Sequence, residues 1–358
     1  MRKKVIISVT NDLCTDQRVH KVCLSLQSIG FEVILWGRAL SYSKGLSRTY
    51  TTKRMRLIFS SGPFFYIEYN LRLFFILLFS KCHLLLANDL DTLLANFLAS
   101  KCKGVPLVYD SHELFPESPE LLKSPFKKFV WECLEALLLP KIKHSYTVCH
   151  SIAQFYKKKY GIEMKVVRNL PYLNTKIHIE QSKNTIIYQG SLNPGRGLDL
   201  AIQSMKYLPE FNLKIIGGGL ELSKLKHLAK VEGVSHQVHF LGRLSFEELS
   251  PYTKEATVGL LLEEPLGLSF EYSLPNKLFD YIHANTPVLA SPLIEVKSVM
   301  KKYPVGVMLK ERNPKSVANQ LKEIVSNLSS YDFKKAKRVF NWHLEEKVIH
   351  NIFIPFLE

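Results

Sequence analysis

The chain has 358 residues, of which 46% are hydrophobic and 22% are charged, and its formal net charge at pH 7 is +16. This length suffices for two domains that each bury a core, and the composition excludes a disordered chain. The six cysteines include no C-x-x-C pair and no metal spacing, so we expect reduced thiols and no metal site.

The positive charge is concentrated in the first half of the chain. Residues 1–175 contain 25 Lys and Arg against 13 Asp and Glu, and residues 176–358 contain 23 against 19, so the halves carry +12 and +4. Such an excess attracts anionic partners, but we find no zinc finger or RNP sequence, and nucleic acid is not expected. The apolar runs that begin at residues 5 and 71 are too short or interrupted for a signal peptide or a membrane span. We therefore expect a cytoplasmic protein.

Strands and helices are predicted to alternate along the first half. Short buried apolar runs indicate strands, and apolar residues at helical spacing indicate helices. In chain order we predict strand 5–9, helix 16–29, strands 32–36 and 82–87, helix 90–101, strand 107–109, helices over about 123–142, strand 144–149, a helix to residue 159 and strand 166–167.

The same alternation is predicted to restart after a polar linker near residues 174–184. In chain order we predict strand 185–188, helix 198–205, strand 213–216, helix 220–231, strand 238–240, helix 246–250, strand 258–262, a helix from Ser273 to Asn285, a strand from Pro287 and a last helix within 333–356. Such alternation predicts an α/β fold of two doubly wound, Rossmann-like units with parallel sheets. Ligands in these sheets bind beyond the carboxyl ends of the strands.

Glycines follow three successive strands of the second half. Gly190 follows the strand at 185–188, Gly217 and Gly218 follow the strand at 213–216, and Gly242 follows the strand at 238–240. Glycine lets the backbone approach a ligand closely. Arg196 stands before the next helix, where a guanidinium can bind phosphate oxygens. These turns predict a crevice suited to a nucleotide diphosphate.

The helix predicted after Ser273 carries complementary polar groups. Ser273 is its predicted cap, with Pro275 and Asn276 in the first turn, where free N–H groups favour phosphate. Lys277 and Asp280 are three residues apart and share a face. This pair offers a cation for phosphate and a carboxylate for a hydroxyl, although an ordinary surface helix would have the same pattern.

These landmarks resemble those of the retaining glycosyltransferases of family 4. The stretch Gln189-Gly-Ser-Leu-Asn-Pro-Gly-Arg-Gly-Leu is similar to the donor loop of that family, and Phe240-Leu-Gly-Arg-Leu is similar to its base-contacting segment. The stretch that begins Pro275-Asn-Lys-Leu-Phe-Asp resembles its helix-and-strand motif, and Val108-Tyr-Asp-Ser-His-Glu resembles a strand end with a histidine near the donor sugar. Val167-Arg-Asn resembles the entry to the second domain.

The resemblance implies the GT-B architecture, in which two Rossmann-like domains face a cleft. It implies an acceptor-binding domain of residues 1–172 plus about 340–358, and a nucleotide-sugar-binding domain of residues 173–339. The C-terminal helix would cross back to the first domain. The resemblance further implies a nucleotide-sugar donor, transfer with retention of configuration, and neither a metal nor another cofactor.

The resemblance also implies roles for individual residues. Asp280 would bind the donor ribose, and Arg196 and Lys277 would neutralise the diphosphate. His112 would hydrogen-bond the transferred sugar, and its alternative is a histidine satisfied at a strand end. The predicted catalytic residues are His112, Arg196 and Lys277. The predicted donor-binding residues are Gly190, Arg196, Gly197, Gly217, Gly218, Arg243, Leu244, Asn276, Lys277, Leu278 and Asp280.

The chain departs from the family pattern at two places. Tyr272 stands where the family has the first Glu of its Glu-x7-Glu motif, and Glu271, Glu263 or Glu264 could replace that carboxylate. The N-terminal glycine loop of the family is replaced by the polar residues 11–18. We assign polar residues there and after the strand at 82–87 to the acceptor, and the alternative is that Asp16 and Asp89 are helix caps. The predicted acceptor-binding residues are Asp12, Asp16, Arg18, Asp89 and Asp91.

Two segments of the first half, residues 71–79 and 126–131, mix aromatic residues with cations. This composition is typical of a helix on an anionic membrane surface, and the alternative is a core helix with a solvated basic side. Together these features predict a peripherally membrane-associated glycosyltransferase. It would transfer a sugar from a UDP- or GDP-sugar to a lipid-linked or polysaccharide acceptor in envelope, lipopolysaccharide or capsule biosynthesis. The alternatives are a GT-B nucleotide-sugar epimerase or phosphorylase and a non-catalytic nucleotide-sugar binder.

Overall fold

The computed structural model describes residues 2–14, 16–40, 43, 45–173, 182 and 184–358. The chain divides into two compact units. Unit 1 contains Met1–Asn169 and Leu344–Glu358, and unit 2 contains Leu170–His343. Most of the linker predicted near 174–184 lies outside the described residues.

Unit 1 is built on a parallel sheet of seven strands in the order β3-β2-β1-β4-β5-β6-β7. The central strands β1 and β4 are almost continuously apolar, as expected of strands with both faces covered. The elements are β1 Lys4–Ser8, α1 Gln17–Ser28, β2 Glu32–Arg38, β3 Thr51–Met55, α2 Gly62–Phe79, β4 Leu84–Asn88, α3 Leu90–Lys103, β5 Leu107–Ser111, α4 Pro119–Leu122, α5 Pro125–Leu138, β6 His144–Thr147, α6 His150–Tyr160 and β7 Lys165–Val166.

Unit 2 is built on a parallel sheet of six strands in the order β10-β9-β8-β11-β12-β13. Its elements are β8 Thr185–Gln189, α7 Leu198–Ser204, β9 Asn212–Ile216, α8 Leu222–Val231, β10 Val238–Gly242, α9 Phe246–Glu255, β11 Val258–Leu261, α10 Leu268–Glu271, α11 Asn276–Ala284, β12 Val288–Ala290, α12 Ile294–Lys302, β13 Gly306–Met308, α13 Pro314–Ser326 and α14 Lys334–Val339. The last helix, α15 Trp342–Phe353, starts at the end of unit 2 and belongs to unit 1 from Leu344 onward. The predicted fold class, two doubly wound parallel units, is confirmed.

The C-terminal helix α15 packs in unit 1 for most of its length, so the predicted return to the first domain is confirmed. The ring of Phe353 lies 6.5 Å from that of Phe31 and 6.3 Å from that of Tyr146. Arg168 binds the Glu345 carboxylate at 3.0 Å. The prediction of a single helix within 333–356 is wrong in detail, because residues 340–341 are not helical and separate α14 from α15.

Helix α2 contains the first part of the apolar run that begins at residue 71. That run divides into the end of α2, a short turn and β4. Within the described residues, α2 is the one helix long and apolar enough to cross a membrane by length and composition. It packs against α3, and its buried side chains are Phe65, Tyr69, Leu73 and Leu77.

Candidate functional site

Arg196 and Lys277 of unit 2 approach the same carboxylate. Lys277, in the first turn of α11, places Nζ 2.7 Å from Glu263 Oε1. Arg196, which precedes α7, places Nη1 3.6 Å from the same oxygen. Glu263 follows β11 and is fully buried. The structure therefore brings the two predicted phosphate-binding cations together.

Each of the two cations also lies close to an aromatic ring. Lys277 Nζ lies 4.0 Å from the centroid of the Tyr188 ring, and the Arg196 guanidinium lies 4.7 Å from that of Phe270. Such contacts favour a fixed orientation of the cation. Glu263 Oε2 and Arg196 Nε are buried and find no hydrogen-bond partner among the described residues. Buried polar groups are nearly always paired, so these two atoms are exceptions within the site.

The glycine turns pack closely against one another, and one of them lies beside Lys277. A Cβ atom on Gly217 would lie 1.8 Å from the carbonyl oxygen of Gly190, so the turns after β8 and β9 touch. A Cβ on Gly190 would lie 3.5 Å from Lys277 Nζ, and one on Gly218 would lie 2.7 Å from Arg243 Nε. The turn after β8 therefore lies beside Lys277, and the turn after β9 contacts both the turn after β8 and Arg243, at the carboxyl edge of one parallel sheet.

Asp280 lies one turn along α11 from Lys277 and is oriented by the end of β8. Gln189 donates from Nε2 to Asp280 Oδ2 at 2.9 Å, and Thr253 donates its hydroxyl to Gln189 Oε1 at 2.7 Å. The chain Thr253–Gln189–Asp280 thus fixes the carboxylate on the same face as Lys277. A carboxylate held in this way can accept hydrogen bonds from neighbouring hydroxyl groups.

The start of α11 differs from its prediction. Pro275 occupies the N-cap position and Asn276 begins the helix. The hydroxyl of Ser273 donates to the Phe270 carbonyl, so its predicted role as the cap is wrong. Leu278 is fully buried and its N–H donates to the Pro275 carbonyl, so it supports the helix from inside. The predicted end is confirmed, since Asn285 adopts a left-handed conformation with φ 61°.

The remaining predicted donor residues have different surroundings. Gly197 lies at the N-cap of α7, where a Cβ would lie 2.2 Å from the Leu262 carbonyl oxygen, so it allows tight packing. Leu244 lines a depression with Glu248 and Tyr252, next to Arg243. Asn276 is exposed at the start of α11.

Three carboxylates, Glu263, Glu264 and Glu271, could replace the family's first Glu, and they have different partners in the structure. Glu264 pairs with Arg312 at 3.4 Å, and Glu271 is the last residue of α10, next to Tyr272. Among the described residues, Glu263 is the only one of the three that forms ion pairs with Arg196 and Lys277. Sequence reasoning gave Glu263 no role toward these cations, because its direction depends on how the chain turns after β11.

Unit 1 contains a second cluster of charged groups, centred on His112. Nδ1 of its ring lies 3.0 Å from Asp89 Oδ2, and Nε2 lies 3.0 Å from Asp110 Oδ2. Its main-chain N–H donates to Asp89 Oδ1 at 2.8 Å. Both ring nitrogens therefore engage carboxylates, as the satisfied-histidine alternative requires.

Arg18 holds the other side of Asp110. Its Nε and Nη2 donate to the two Asp110 oxygens at 3.0 and 2.7 Å, and Nη1 donates to the Val167 carbonyl at 2.7 Å. Burial alone would raise the pKa of Asp110, but Arg18 and His112 outweigh it and lower that pKa to about 2. Burial likewise opposes the charge on His112, but Asp89 and Asp110 raise its pKa well above the ordinary value. Both carboxylates therefore favour the protonated ring.

The other predicted acceptor residues lie around this cluster. Asp91 is buried and accepts the Thr10 hydroxyl at 2.5 Å. Burial, followed by the charge of Asp89, raises the pKa of Asp91 to about 7. Asp12 pairs with Arg54 at 3.2 Å.

Asp16 and Asp89 both occupy N-cap positions, and they use them differently. Asp16 accepts from the Val19 N–H at 3.0 Å and so caps α1. Asp89 precedes α3 with φ 60° and makes no capping bond, because its carboxylate holds His112. Sequence reasoning missed Asp110, although a carboxylate within an apolar strand is itself a signal of a buried charged partner.

Comparison with known families agrees with both halves of this architecture. Residues 16–170 match the family model described as Glycosyltransferase Family 4, and residues 173–339 match the model described as Glycosyl transferases group 1. The two matches follow each other and together span most of the chain. The chain belongs to the family-4 glycosyltransferases.

Solved glycosyltransferases share its GT-B fold. Sucrose-phosphate synthase of Thermosynechococcus elongatus is 13% identical, with a TM-score of 0.79 and coverage of 99% of both chains. HepE of Anabaena in complex with UDP and glucose is 14% identical, with a TM-score of 0.73 and coverage of 98% and 99%. WaaG, a glycosyltransferase involved in lipopolysaccharide biosynthesis, is 14% identical, with a TM-score of 0.71 and coverage of 97% and 99%. At these identities the similarity shows the fold.

A curated relative is an uncharacterized glycosyltransferase of Methanocaldococcus jannaschii. It is 26% identical over 156 residues, which are 42% of this chain and 38% of the relative. The match thus spans little more than a third of the relative's length.

Proposed function

We propose that this glycosyltransferase binds a UDP- or GDP-sugar on unit 2 and transfers the sugar to a lipid-linked or polysaccharide acceptor. The acceptor would belong to envelope, lipopolysaccharide or capsule biosynthesis. The observation that carries the proposal is the convergence of Arg196 and Lys277 on Glu263, beside the turn at Gly190. HepE, which shares the fold, is recorded with UDP and glucose, which supports a nucleotide-sugar donor.

The two cations suit a diphosphate leaving group. Negative charge develops on the diphosphate as its bond to the sugar breaks, and fixed positive groups stabilise that charge most in the transition state. Arg196 and Lys277 would supply this stabilisation without a metal ion. Among the residues that the structure describes, no group of three or more His, Cys, Asp and Glu is placed to hold a metal. Metal independence is part of the proposal and rests on the cations.

Asp280 suits the ribose of the donor. Its carboxylate, oriented by Gln189, would accept hydrogen bonds from the ribose hydroxyl groups one helical turn from Lys277. Retention would follow from attack on the same face that the diphosphate leaves, assisted by a phosphate oxygen. We assign acceptor binding to unit 1, at Asp12, Asp16, Arg18, Asp89 and Asp91. His112 would contact the transferred sugar.

Calorimetric titration with UDP and GDP tests the donor site. Arg196→Ala and Asp280→Ala should each weaken binding by about 1–3 kcal/mol, because each removes a hydrogen bond to a charged or hydroxyl group. Lys301→Ala, an exposed substitution on α12, is the matched control and should leave the affinity unchanged. Equal affinities of both variants and the control would exclude this site.

A non-catalytic nucleotide-sugar binder is the second candidate. Tyr272 in place of the family's first Glu favours it, and so does the engagement of both His112 ring nitrogens by carboxylates. Incubation with UDP- and GDP-sugars distinguishes the candidates. A binder would leave the donor intact, an epimerase would isomerise it without an acceptor, and a transferase would hydrolyse or transfer its sugar and lose this activity on His112→Ala.

A cytoplasmic location, peripheral on the inner face of the plasma membrane, completes the proposal. It is supported by the excess of positive charge in residues 1–175.

A further inference from the structure

Helix α2 exposes an apolar face opposite the one it buries. Its buried stripe consists of Phe65, Tyr69, Leu73 and Leu77. The opposite stripe consists of Phe64, Ile67, Leu71, Phe75 and Phe79, which are 48–80% exposed. A spacing of three and four residues places these five side chains on one side of the helix. Monomeric soluble proteins rarely leave such an apolar stripe open to water.

The turn before α2 extends this stripe. Ile58 is 78% exposed and Phe59 is 44% exposed, and the Phe59 ring lies 5.4 Å from that of Phe64. Glu68 accepts the N–H groups of Ile58 and Phe59 at 2.9–3.0 Å, and it pairs with Arg72 at 2.7 Å. The turn is therefore held on the helix by defined bonds. We call Ile58, Phe59, Phe64, Ile67, Leu71, Phe75 and Phe79 the α2 ridge.

The carboxyl end of α2 is also closed. The ammonium of Lys103 donates to the carbonyl groups of Leu77 and Leu78 at 3.0 and 3.2 Å, and to that of Ser80. Carbonyl groups at a helix end otherwise need water. Unpaired backbone groups are costly in an apolar environment. The pairing of these carbonyl groups by Lys103 therefore suits a helix whose carboxyl end lies against lipid rather than water.

Exposed cations and a second apolar helix lie near the ridge. Arg56 and Lys81 are exposed on either side of α2 in the chain, and Arg72 lies on the helix itself. Helix α5 exposes Phe126 and Phe129, and its Trp131 meets Tyr66 of α2 edge to face at 4.9 Å. Aromatic residues together with cations are typical of a surface that meets anionic lipid.

We propose that the α2 ridge docks unit 1 on an anionic lipid bilayer, with α2 lying in the interface and its ridge among the acyl chains. Charge decides between the possible occupants. A second copy of the chain would bring another strongly positive surface against the first, whereas anionic headgroups complement the cations beside the ridge. The inference deepens the proposed function by naming the surface that would meet the membrane.

Vesicle sedimentation with the full-length protein tests the ridge. The probes are vesicles of phosphatidylcholine alone and of phosphatidylcholine with phosphatidylglycerol. We expect binding to the anionic vesicles that falls with added salt, and a loss of at least about tenfold in Phe75→Ser/Phe79→Ser. The matched control is Leu220→Ser/Val231→Ser, which removes two exposed apolar side chains of unit 2 and should bind as the unaltered protein does.

The outcomes are separable. Unchanged vesicle binding of the ridge variant, or no binding of the unaltered protein, overturns the inference. Self-association in sedimentation equilibrium that the ridge variant abolishes, without vesicle binding, identifies a second copy and also overturns it. Ile67→Ser/Leu71→Ser gives the same test if the first variant misfolds. No nucleotide is needed, so failure here leaves UDP binding as a separate result.

Discussion

At the scale of single residues, Glu263 is the group whose removal should matter most to unit 2. Its one bonded oxygen lies near two cations, and its side chain has no access to water. Breaking a buried ion pair leaves a charge without compensation, which costs about 3–5 kcal/mol, whereas replacing both partners costs much less. The pair Glu263–Lys277 is thus suited to a double-mutant cycle.

We expect Glu263→Gln and Lys277→Met each to lower the free energy of unfolding in urea, and the double variant to lose clearly less than the sum. The exposed pair Lys157–Glu163 provides the control cycle, and its coupling should be small because water screens both charges. Additive losses at Glu263 and Lys277 would show that their contact contributes nothing to stability.

Asp91 should make the stability of the protein depend on pH. Its pKa of about 7 in the fold exceeds that of an ordinary carboxyl, so the folded protein binds more protons than the unfolded chain between about pH 4 and 7. Protonation of Asp91 therefore stabilises the fold fully below about pH 4, and this stabilisation is lost as the pH rises to 7.

Asp91→Asn removes this contribution. Unfolding in urea at a series of pH values should show a weaker fall of stability between pH 4 and 7 in the variant than in the unaltered protein. Asp12→Asn, at the partly exposed pair with Arg54, serves as the comparison. Parallel pH profiles of the unaltered protein and Asp91→Asn would contradict the raised pKa.

Sequence reasoning predicted that three polar residues of unit 2 lie together, but it did not predict their partners. Arg196, Lys277 and Asp280 follow strand ends or begin a helix, so the backbone pattern alone places them at one edge of the sheet. Their bonds to Glu263 and Gln189 depend on side-chain directions, which no periodicity records.

At the scale of elements, the turns after β8 and β9 leave no room for a side chain. Gly217 adopts φ 144° and its absent Cβ would strike the Gly190 carbonyl. Gly233 also has a positive φ, 74°, but open space around it. An alanine would have a strained backbone at either position, but only at Gly217 would its Cβ also clash with neighbouring atoms.

Gly217→Ala should therefore lower the free energy of unfolding by more than Gly233→Ala, whose loss is of the order of 1 kcal/mol. Because the displaced turn carries Gly190, which lies beside Lys277, Gly217→Ala should also weaken UDP binding in calorimetry. Gly233→Ala should bind UDP normally. Equal stability and equal affinity of the two variants would contradict the close contact of the turns.

Several elements show where sequence patterns are weak. Strand β3 is polar, with the sequence TTKRM, and has no apolar alternation that would predict an edge strand. Helix α2 is apolar on two opposite faces, so the usual helical period is absent from it. By contrast, the buried runs of β1, β4, β8 and β11 were predicted because continuous apolar residues are typical of central parallel strands.

At the scale of the whole molecule, α15 completes the core of unit 1 from the far end of the sequence. Phe353 is fully buried between Phe31 and Tyr146, and Glu346 accepts the Ser25 hydroxyl at 2.7 Å. A large aromatic side chain in a core contributes about 3–5 kcal/mol relative to alanine.

Phe353→Ala should accordingly lower the free energy of unfolding by about 3–5 kcal/mol. Hydrogen exchange should quicken in the strands of unit 1 and change little in those of unit 2. Ile354→Ala, at a 43% exposed neighbour, is the control and should have a small effect. Exchange that quickens equally in both units would contradict the placement of α15.

The return of α15 also sets an order for the growing polypeptide. Leu170–His343 is continuous, so unit 2 can close as soon as it has left the ribosome. Residues 1–169 emerge earlier but lack the helix that covers Phe31 and Tyr146 until residues 344–358 are translated. Unit 1 therefore starts to emerge before unit 2 and is completed after it, and Phe31 and Tyr146 lack their contacts with Phe353 until then.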